Sequence, residues 1–315
     1  MSETVTQTTR NRLSLLDAAR GVALLAMTSY HFTWDLEFFG YIEPGTATHG
    51  LWKLYARAIA STFLFLAGFS LVLAHRNGIR WKPFLVRIGM VAVAALAITV
   101  ATVFAFPDAV IYFGILHAIA AASVIGLLFL RVPVIVTLLV AVAAVAAPHF
   151  LRSSAFDGLW LLWLGLAETP QRSNDYVPLL PWIAPALVGI AAAKLSLKHG
   201  LVERLSAISA RPAILLFAGR HSLAFYLLHQ PVLIALLFLA SLVIPAAPTQ
   251  RWLGECTASC KANSEDPLMC EKFCSCAGTE LGKAGLFRQI APGWPNHEPQ
   301  STMQDVQLRC SVAAE

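Results

Sequence analysis

Long apolar stretches alternate with short polar segments along most of the chain. Stretches of roughly twenty apolar residues are long enough to cross a hydrocarbon core of ~30 Å as a helix. The pattern predicts membrane spans at residues 13–33, 51–74, 84–106, 109–130, 132–147, 178–196 and 222–245. The apolar runs are continuous rather than alternating, which excludes a transmembrane β-barrel. The predicted fold class is therefore all-α, a polytopic membrane helix bundle of about seven or eight transmembrane helices.

Two apolar segments are too short to be read as full spans. Residues 156–168 are rich in tryptophan, which favours an interfacial or re-entrant helix. Residues 211–220 are predicted to form a short amphipathic lead into the last span.

Composition strengthens the membrane prediction. The 315 residues are 57% hydrophobic and only 13% charged, whereas a soluble domain is about a quarter charged. The basic residues lie at span ends, so the basic isoelectric point indicates membrane topology and lipid contact rather than nucleic-acid binding. The first twelve residues are polar, and no signal-peptide pattern follows them.

The distribution of Lys and Arg predicts the orientation. These residues are concentrated in the N-terminal tail and in the loops at 75–87 and 194–211, whereas the 34–53 loop is acidic. The positive-inside rule then places the N-terminus in the cytoplasm. If the membrane is a bacterial inner membrane, as we expect, the C-terminal tail lies in the periplasm. A crossing by residues 156–168 would return that tail to the cytoplasm. The predicted domains are a cytoplasmic tail at 1–12, a membrane domain at 13–247 and a Cys-rich extramembrane tail at 248–315.

Five polar residues share one face of the first predicted span. Asp17, Arg20, Thr28, His31 and Asp35 fall within roughly 80° of each other on a helical wheel. A charge at the membrane centre costs ~2.5–3.5 kcal/mol on insertion scales, so this polar stripe predicts a functional site. Asp17 and Arg20 can form an ion pair, and Asp35 can orient the His31 imidazole. The alternative is a buried salt bridge and a polar contact to another span, both structural.

Three further polar residues occur within other predicted spans. Arg57 lies one turn into the second span, where it either extends outward along its aliphatic stem or pairs with Asp35, and we favour the pair. His117 and His229 lie mid-span, where each either lines the same cavity as His31 or forms a helix–helix hydrogen bond.

The tail contains all six cysteines. Cys256 and Cys260 form one C-x3-C motif, and Cys270 and Cys274 form another. Cysteines four residues apart share a helix face, so two such helices packed against each other can be joined by two disulfides, which we favour. The alternative is a thiolate zinc site, but no nearby histidine supports it, and we predict no metal site.

A family resemblance begins in the first span. The segment LDAARGVALLAMTSYH resembles the start of the heparan-α-glucosaminide N-acetyltransferase catalytic-domain family, whose members are multi-pass membrane acyltransferases. His31 matches a polar position of that family. The segment THGLWKLYARAIASTFLFLAG resembles its next motif, in which His49 matches the catalytic histidine and Trp52 the tryptophan that follows. Arg57 departs from the family, which tends to have an acid early in this span. A late motif shared with other membrane acyltransferases is matched from Ser222 to Pro231.

The resemblance implies an enzyme that moves an acetyl or other acyl group from cytoplasmic acyl-CoA to an acceptor at or across the membrane. The acceptor would be an amino sugar, an envelope glycan or another small molecule. No tightly bound cofactor is implied, and acetyl-CoA would be a co-substrate. His49, His31 and Asp35 would form the catalytic group. Substrate and CoA binding, or a structural charge pair, would then involve Asp17, Arg20, Arg57, His117 and His229.

Two other functions are compatible with polar residues in spans. A transporter or proton-coupled membrane protein also carries intramembrane charge, although no inverted repeat is evident here. A b-type haem electron carrier could use His31, His117 and His229 as axial ligands, although the usual paired histidines at fixed spacing on two helices are absent. The acceptor, the acyl chain and the oligomeric state stay open.

Overall fold

The computed structural model describes residues 13–42, 45–208, 213–244, 248–264, 266–283 and 300–314. The predicted cytoplasmic tail at 1–12 lies outside the described residues. So do Glu43 and Arg211, two of the charged loop residues behind the predicted orientation.

The described chain is helical, with no strand among its residues, which confirms the all-α prediction. The helices are α1 (Ser14–Phe38), α2 (Gly50–Ala74), α3 (Trp81–Ala105), α4 (Ile115–Gly126), α5 (Val134–Phe150), α6 (Leu179–Lys198), α7 (Leu201–Ala207), α8 (Ala213–Arg220), α9 (Ser222–Val243), α10 (Pro248–Asn263), α11 (Pro267–Lys283) and α12 (Gln300–Ala314).

Four of these helices, α2, α3, α6 and α9, are both long and apolar enough to cross a membrane. Helix α1 has 25 residues but carries the polar stripe. Helices α4 and α5 are apolar but have only 12 and 17 residues. The predicted span 109–130 is α-helical only over α4 and is flanked by short 3-10 turns at Pro107–Ala109 and Leu128–Leu130. Length and composition thus support four of the predicted spans.

The surface of the helices is apolar where a soluble protein would be polar. On α3, Leu85, Val93, Leu96 and Phe104 are all exposed. A helix that presents apolar side chains outward suits a lipid environment, because lipid tails solvate such side chains and water does not.

The tryptophan-rich segment is too short to cross a bilayer. It contains a 3-10 helix at Leu159–Leu164, whose six residues rise only ~12 Å. Trp160 and Trp163 are exposed on it. Asp157 closes the surrounding loop by accepting hydrogen bonds from the backbone N–H groups of Glu168 and Thr169 and from the Thr169 hydroxyl. This geometry supports the interfacial interpretation.

Two glycines bring the backbones of α2 and α6 into contact. A Cβ at Gly68 would overlap the carbonyl of Ala186, and a Cβ at Gly189 would overlap the carbonyl of Phe65. Small residues at such crossings let membrane helices approach closely, which strengthens their van der Waals packing.

The chain divides into two compact units. The first unit consists of the described residues within Met1–Met27 and Ala56–Leu228. The second unit consists of the described residues within Thr28–Tyr55 and His229–Glu315. In the first unit, buried side chains of α2 and α6, including Leu64, Leu187 and Ile190, lie at the centre of the core. The unit boundaries fall within helices, whereas the sequence suggested a division at residues 247 and 248. That division stays a prediction.

Three disulfides join the helices of the C-terminal tail. Cys256 bonds to Cys274 and Cys260 to Cys270, so α10 and α11 form an antiparallel hairpin with two cross-links. The third disulfide, between Cys276 and Cys310, attaches α12. Disulfides are therefore confirmed for the four predicted cysteines, and the zinc alternative is wrong because all six thiols are oxidised.

Candidate functional site

The polar stripe of α1 faces protein, and its apolar side faces outward. Asp17 is 2% exposed and Asp35 is 0% exposed. On the other side of the same helix, Val22 is 55% exposed and Leu25 is 59% exposed. Two of the five residues that share a face on the helical wheel, Asp17 and Asp35, are therefore buried.

One polar cluster lies within the second unit and joins α1 to α9. We call His31, Asp35, His229 and Gln230 the histidine–aspartate cluster. The ring centroids of His31 and His229 are 5.0 Å apart, in an edge-on arrangement. The Gln230 Nε2 donates a hydrogen bond of 2.6 Å to the Asp35 Oδ1. His31 is thus in contact with His229, and Asp35 is hydrogen-bonded to the residue that follows His229.

Three atoms of this cluster are buried with no hydrogen-bond partner among the described residues. They are the His31 Nδ1, the Asp35 Oδ2 and the Gln230 Oε1. The amide orientation of Gln230 follows from its partner, because only the nitrogen can donate to a carboxylate. Leaving a buried polar atom unsatisfied costs ~1–3 kcal/mol. The cluster therefore suits a ligand that supplies several hydrogen-bond donors.

A second polar cluster lies within the first unit. We call Asp17, Arg20, Ser70 and Arg220 the arginine cluster. The Asp17 carboxylate lies 3.1 Å from the Arg20 Nη1 and 3.6 Å from the Arg220 Nε. The Arg20 Nη2 also donates to the Ser70 Oγ at 2.5 Å. The predicted Asp17–Arg20 ion pair is present within an excess of positive charge.

His117 occupies a structural position at the start of α4. Its Nδ1 accepts a hydrogen bond of 3.2 Å from the Gly114 N–H, and its Nε2 lies 3.3 Å from the Thr99 Oγ1. Beside it, the Asp175 Oδ2 accepts from the Ile115 N–H at 2.8 Å. Burial raises the pKa of Asp175 to about 6, although the Ile115 hydrogen bond opposes this shift. Both ring nitrogens of His117 are engaged, which favours the helix–helix interpretation over axial haem ligation.

His49 is exposed and immediately precedes α2. Its Nδ1 lies 2.9 Å from the Gly45 carbonyl oxygen and 3.1 Å from the Thr48 Oγ1. The carboxylate of Glu37 accepts hydrogen bonds from the N–H groups of Gly45 and Ala47, at 2.6 and 2.8 Å. Arg57 is exposed on α2, and its pairing with Asp35 stays a prediction.

No group of three or more His, Cys, Asp or Glu side chains in the described ranges is arranged to hold a metal ion. Four groups of these sites were not expected from the sequence: Gln230, Ser70, Arg220 and Glu37. Gln230 lies between two residues of the late motif, His229 and Pro231, so its polar character within a span was the available signal.

Residues 12–231 match the model of the family described as heparan-alpha-glucosaminide N-acetyltransferase, catalytic. The chain belongs to this family. The matched region covers more than half of the chain and includes both polar clusters and His49, whereas the disulfide-bonded tail lies outside it. Family membership and the apolar helices together identify an integral membrane protein of an acetyltransferase family. No curated protein and no solved structure matches this heparan-alpha-glucosaminide N-acetyltransferase family member.

Proposed function

We propose that the protein transfers an acetyl group from cytoplasmic acetyl-CoA to the amine of a sugar acceptor, such as an amino sugar of an envelope glycan. The observation that carries this proposal is the histidine–aspartate cluster, which concentrates unsatisfied polar atoms between α1 and α9. Intramembrane ionisable groups are costly, and their retention on one helix face supports a functional role.

The cluster favours an amine over a hydroxyl as the acceptor. The Asp35 Oδ2 and the Gln230 Oε1 are both acceptor atoms that lack partners among the described residues. An amine supplies two or three N–H donors, whereas a single hydroxyl supplies one donor. An amine can therefore satisfy both oxygens at once, which also orients its nitrogen for attack.

The chemistry needs a base and a route for the leaving group. As the amine nitrogen attacks the thioester carbonyl, the C–N bond forms, the C–S bond breaks, and the CoA thiolate departs. His49 accepts the proton that the amine loses and returns it to the thiolate, a role that its match to the family motif supports. A covalent alternative has His49 carry the acetyl group between the two substrates.

The arginine cluster supplies a site for the donor. Guanidinium groups bind phosphates through paired hydrogen bonds, and CoA carries a diphosphate and a further phosphate. Arg20 is already held in place by Asp17 and Ser70. The predicted orientation puts this end of α1 at the cytoplasmic face, where acetyl-CoA is available.

Radiolabelled acetyl-CoA tests the proposal in purified protein. Glucosamine should accept the label, whereas glucose, which differs in having a hydroxyl in place of the amine, should not. His49→Ala should reduce turnover by ~10²–10⁴-fold, as expected for loss of an acid–base group. His199→Ala, at an exposed histidine that follows α6, is the matched control and should leave turnover unchanged. The proposal fails if no amine acceptor releases CoA and no label reaches the protein.

A further inference from the structure

A short turn between α1 and α2 holds His49 in one orientation. We call residues 45–48 the Gly45 turn. Gly45 has a φ of 87°, in the left-handed region that favours glycine. Ala47 is fully buried, so its backbone N–H requires a partner within the protein. Glu37, at the end of α1, supplies that partner and also binds the Gly45 N–H.

The Gly45 turn also determines which nitrogen of His49 carries the proton. The Nδ1 lies 2.9 Å from the Gly45 carbonyl oxygen, and a carbonyl can only accept a hydrogen bond. The Nδ1 therefore carries the proton, and the Nε2 carries the lone pair. The Thr48 hydroxyl donates to the same carbonyl at 3.2 Å, which leaves its oxygen free to accept from the Nδ1 as well.

We propose that Glu37 is a positioning residue for His49. Its carboxylate binds two backbone N–H groups of the Gly45 turn, and the turn's own carbonyl then fixes the tautomer of the imidazole. The exposed Nε2 is thereby presented as the atom that takes a proton or an acetyl group. This inference rests on the proposed function, in which His49 performs the chemistry.

The electrostatics of this arrangement favour catalysis. When the Nε2 takes a proton, the ring becomes an imidazolium, and its Nδ1–H bond to the Gly45 carbonyl becomes charge-assisted and stronger. Hydrogen bonds from the same peptide segment to the Glu37 carboxylate keep that carbonyl in place, so little reorganisation is needed during the reaction. Glu37 acts through the backbone and does not itself contact the reacting atoms.

The variant Glu37→Gln tests whether Glu37 positions His49 or only supports the fold. The glutamine keeps the length of the side chain, but its NH₂ group faces a backbone N–H and so loses one of the two bonds. We expect kcat to fall by ~10–100-fold, as for other groups that orient a functional histidine, with the KM for the acceptor unchanged. Glu203→Gln, at an exposed acid of α7, is the matched control and should retain full activity.

A second variant acts on the same turn without changing Glu37. A Cβ at Gly45 would lie 3.1 Å from the His49 Nδ1, and the left-handed backbone disfavours any side chain there. Gly45→Ala should therefore displace the imidazole and lower kcat at least as strongly as Glu37→Gln. Thermal unfolding of both variants shows whether the fold is retained.

The tautomer gives a readout that does not depend on turnover. In ¹⁵N-histidine-labelled protein, the signal of His49, assigned by its loss in His49→Ala, should report Nδ1–H in the wild type and a mixed population in Glu37→Gln. An unchanged tautomer, or an unchanged kcat in an active enzyme, overturns the role of Glu37 while leaving acetyl transfer intact. A shifted tautomer in a protein that transfers no acetyl group overturns the proposed function instead.

Discussion

Removing one partner of the buried Asp35–Gln230 hydrogen bond should cost more stability than removing both partners. Gln230→Leu removes the donor and leaves a fully buried carboxylate without it, so we expect a loss of ~1–3 kcal/mol in the free energy of unfolding. The double substitution Asp35→Leu with Gln230→Leu removes both polar groups and should restore most of that stability. Thermal unfolding in detergent measures both effects. A double variant as unstable as the single one would contradict this assignment.

Asp157 provides a pH-dependent contact on an exposed loop. Hydrogen bonds from the Thr169 hydroxyl and backbone, and from the Glu168 backbone, hold the pKa of this carboxyl below its ordinary value of 3.8. Because the folded-state pKa is lowered, the stabilisation is present above pH 3.8 and is lost as the pH falls through the folded-state pKa. Thr169→Val should raise this pKa toward the ordinary value, which an NMR titration of the carboxyl measures. A pKa that stays low would show that the hydroxyl contributes little.

At the scale of single residues, the sequence predicted which polar residues share a helix face better than it predicted their hydrogen-bond partners. Helical periodicity placed Asp17 and Asp35 on one face of α1, because the helix repeat alone determines which residues share a face, and both side chains are buried. The donor to Asp35 is 195 positions away, so only the packing of α1 on α9 brings the two together. Glu37 was read only as a charge in an acidic loop, since its role depends on the backbone of the Gly45 turn.

The crossing of α2 and α6 depends on glycines rather than on apolar side chains. Gly68→Ala places a Cβ against the carbonyl of Ala186, which the backbone must move to accommodate. We expect a destabilisation of ~1–3 kcal/mol or more, because overpacking is costly where the contacting atom is backbone. The matched control is Gly89→Ala on α3, where nothing lies within 4 Å of the added Cβ. That change should be neutral or stabilising by ~0.5–1 kcal/mol.

Thermal unfolding and folded yield in detergent compare these two variants directly. Equal stability of Gly68→Ala and Gly89→Ala would show that the α2–α6 crossing is looser than described.

Element boundaries were predictable where hydropathy and chain geometry agree. Helices α2 and α6 begin and end within a few residues of the predicted spans. The 109–130 span failed as a continuous α-helix because hydropathy registers apolar character and not backbone geometry. Pro107 begins a 3-10 turn there, and α4 starts only at the Asp175 and His117 hydrogen bonds. The first of these hydrogen bonds depends on a residue 60 positions away, and the second depends on the side-chain rotamer of His117. Hydropathy reports neither.

On the scale of the whole molecule, the tail is the part most dependent on covalent bonds. The Cys276–Cys310 disulfide joins residues 34 positions apart, and a loop of this length contributes ~4 kcal/mol in the chain-entropy treatment. Cys276→Ala with Cys310→Ala should release α12 from α11 and expose it to limited proteolysis. The Cys260–Cys270 pair closes a shorter loop, so its removal should cost less, ~3 kcal/mol. If α12 stays protected from proteolysis in the variant that lacks Cys276 and Cys310, this expectation is contradicted.

The orientation of the tail is a prediction that the disulfides make accessible to experiment. Disulfides form and persist in oxidising compartments such as the bacterial periplasm. In intact cells, a membrane-impermeant thiol reagent should label the tail cysteines only after reduction. Labelling that requires both reduction and membrane permeabilisation would place the tail in the cytoplasm and reverse the predicted topology.

The contact between α2 and α6 also limits how the first unit can move. One type of conformational switch slides one element past another by a full helical turn, about 5.4 Å. Such a ratchet is blocked here, because a shift of one turn would set Leu64 or Val72 against the Ala186 carbonyl in place of Gly68. The two helices therefore form a rigid pair. Any motion within this unit therefore has to involve other contacts, and it takes place relative to the fixed α2–α6 pair.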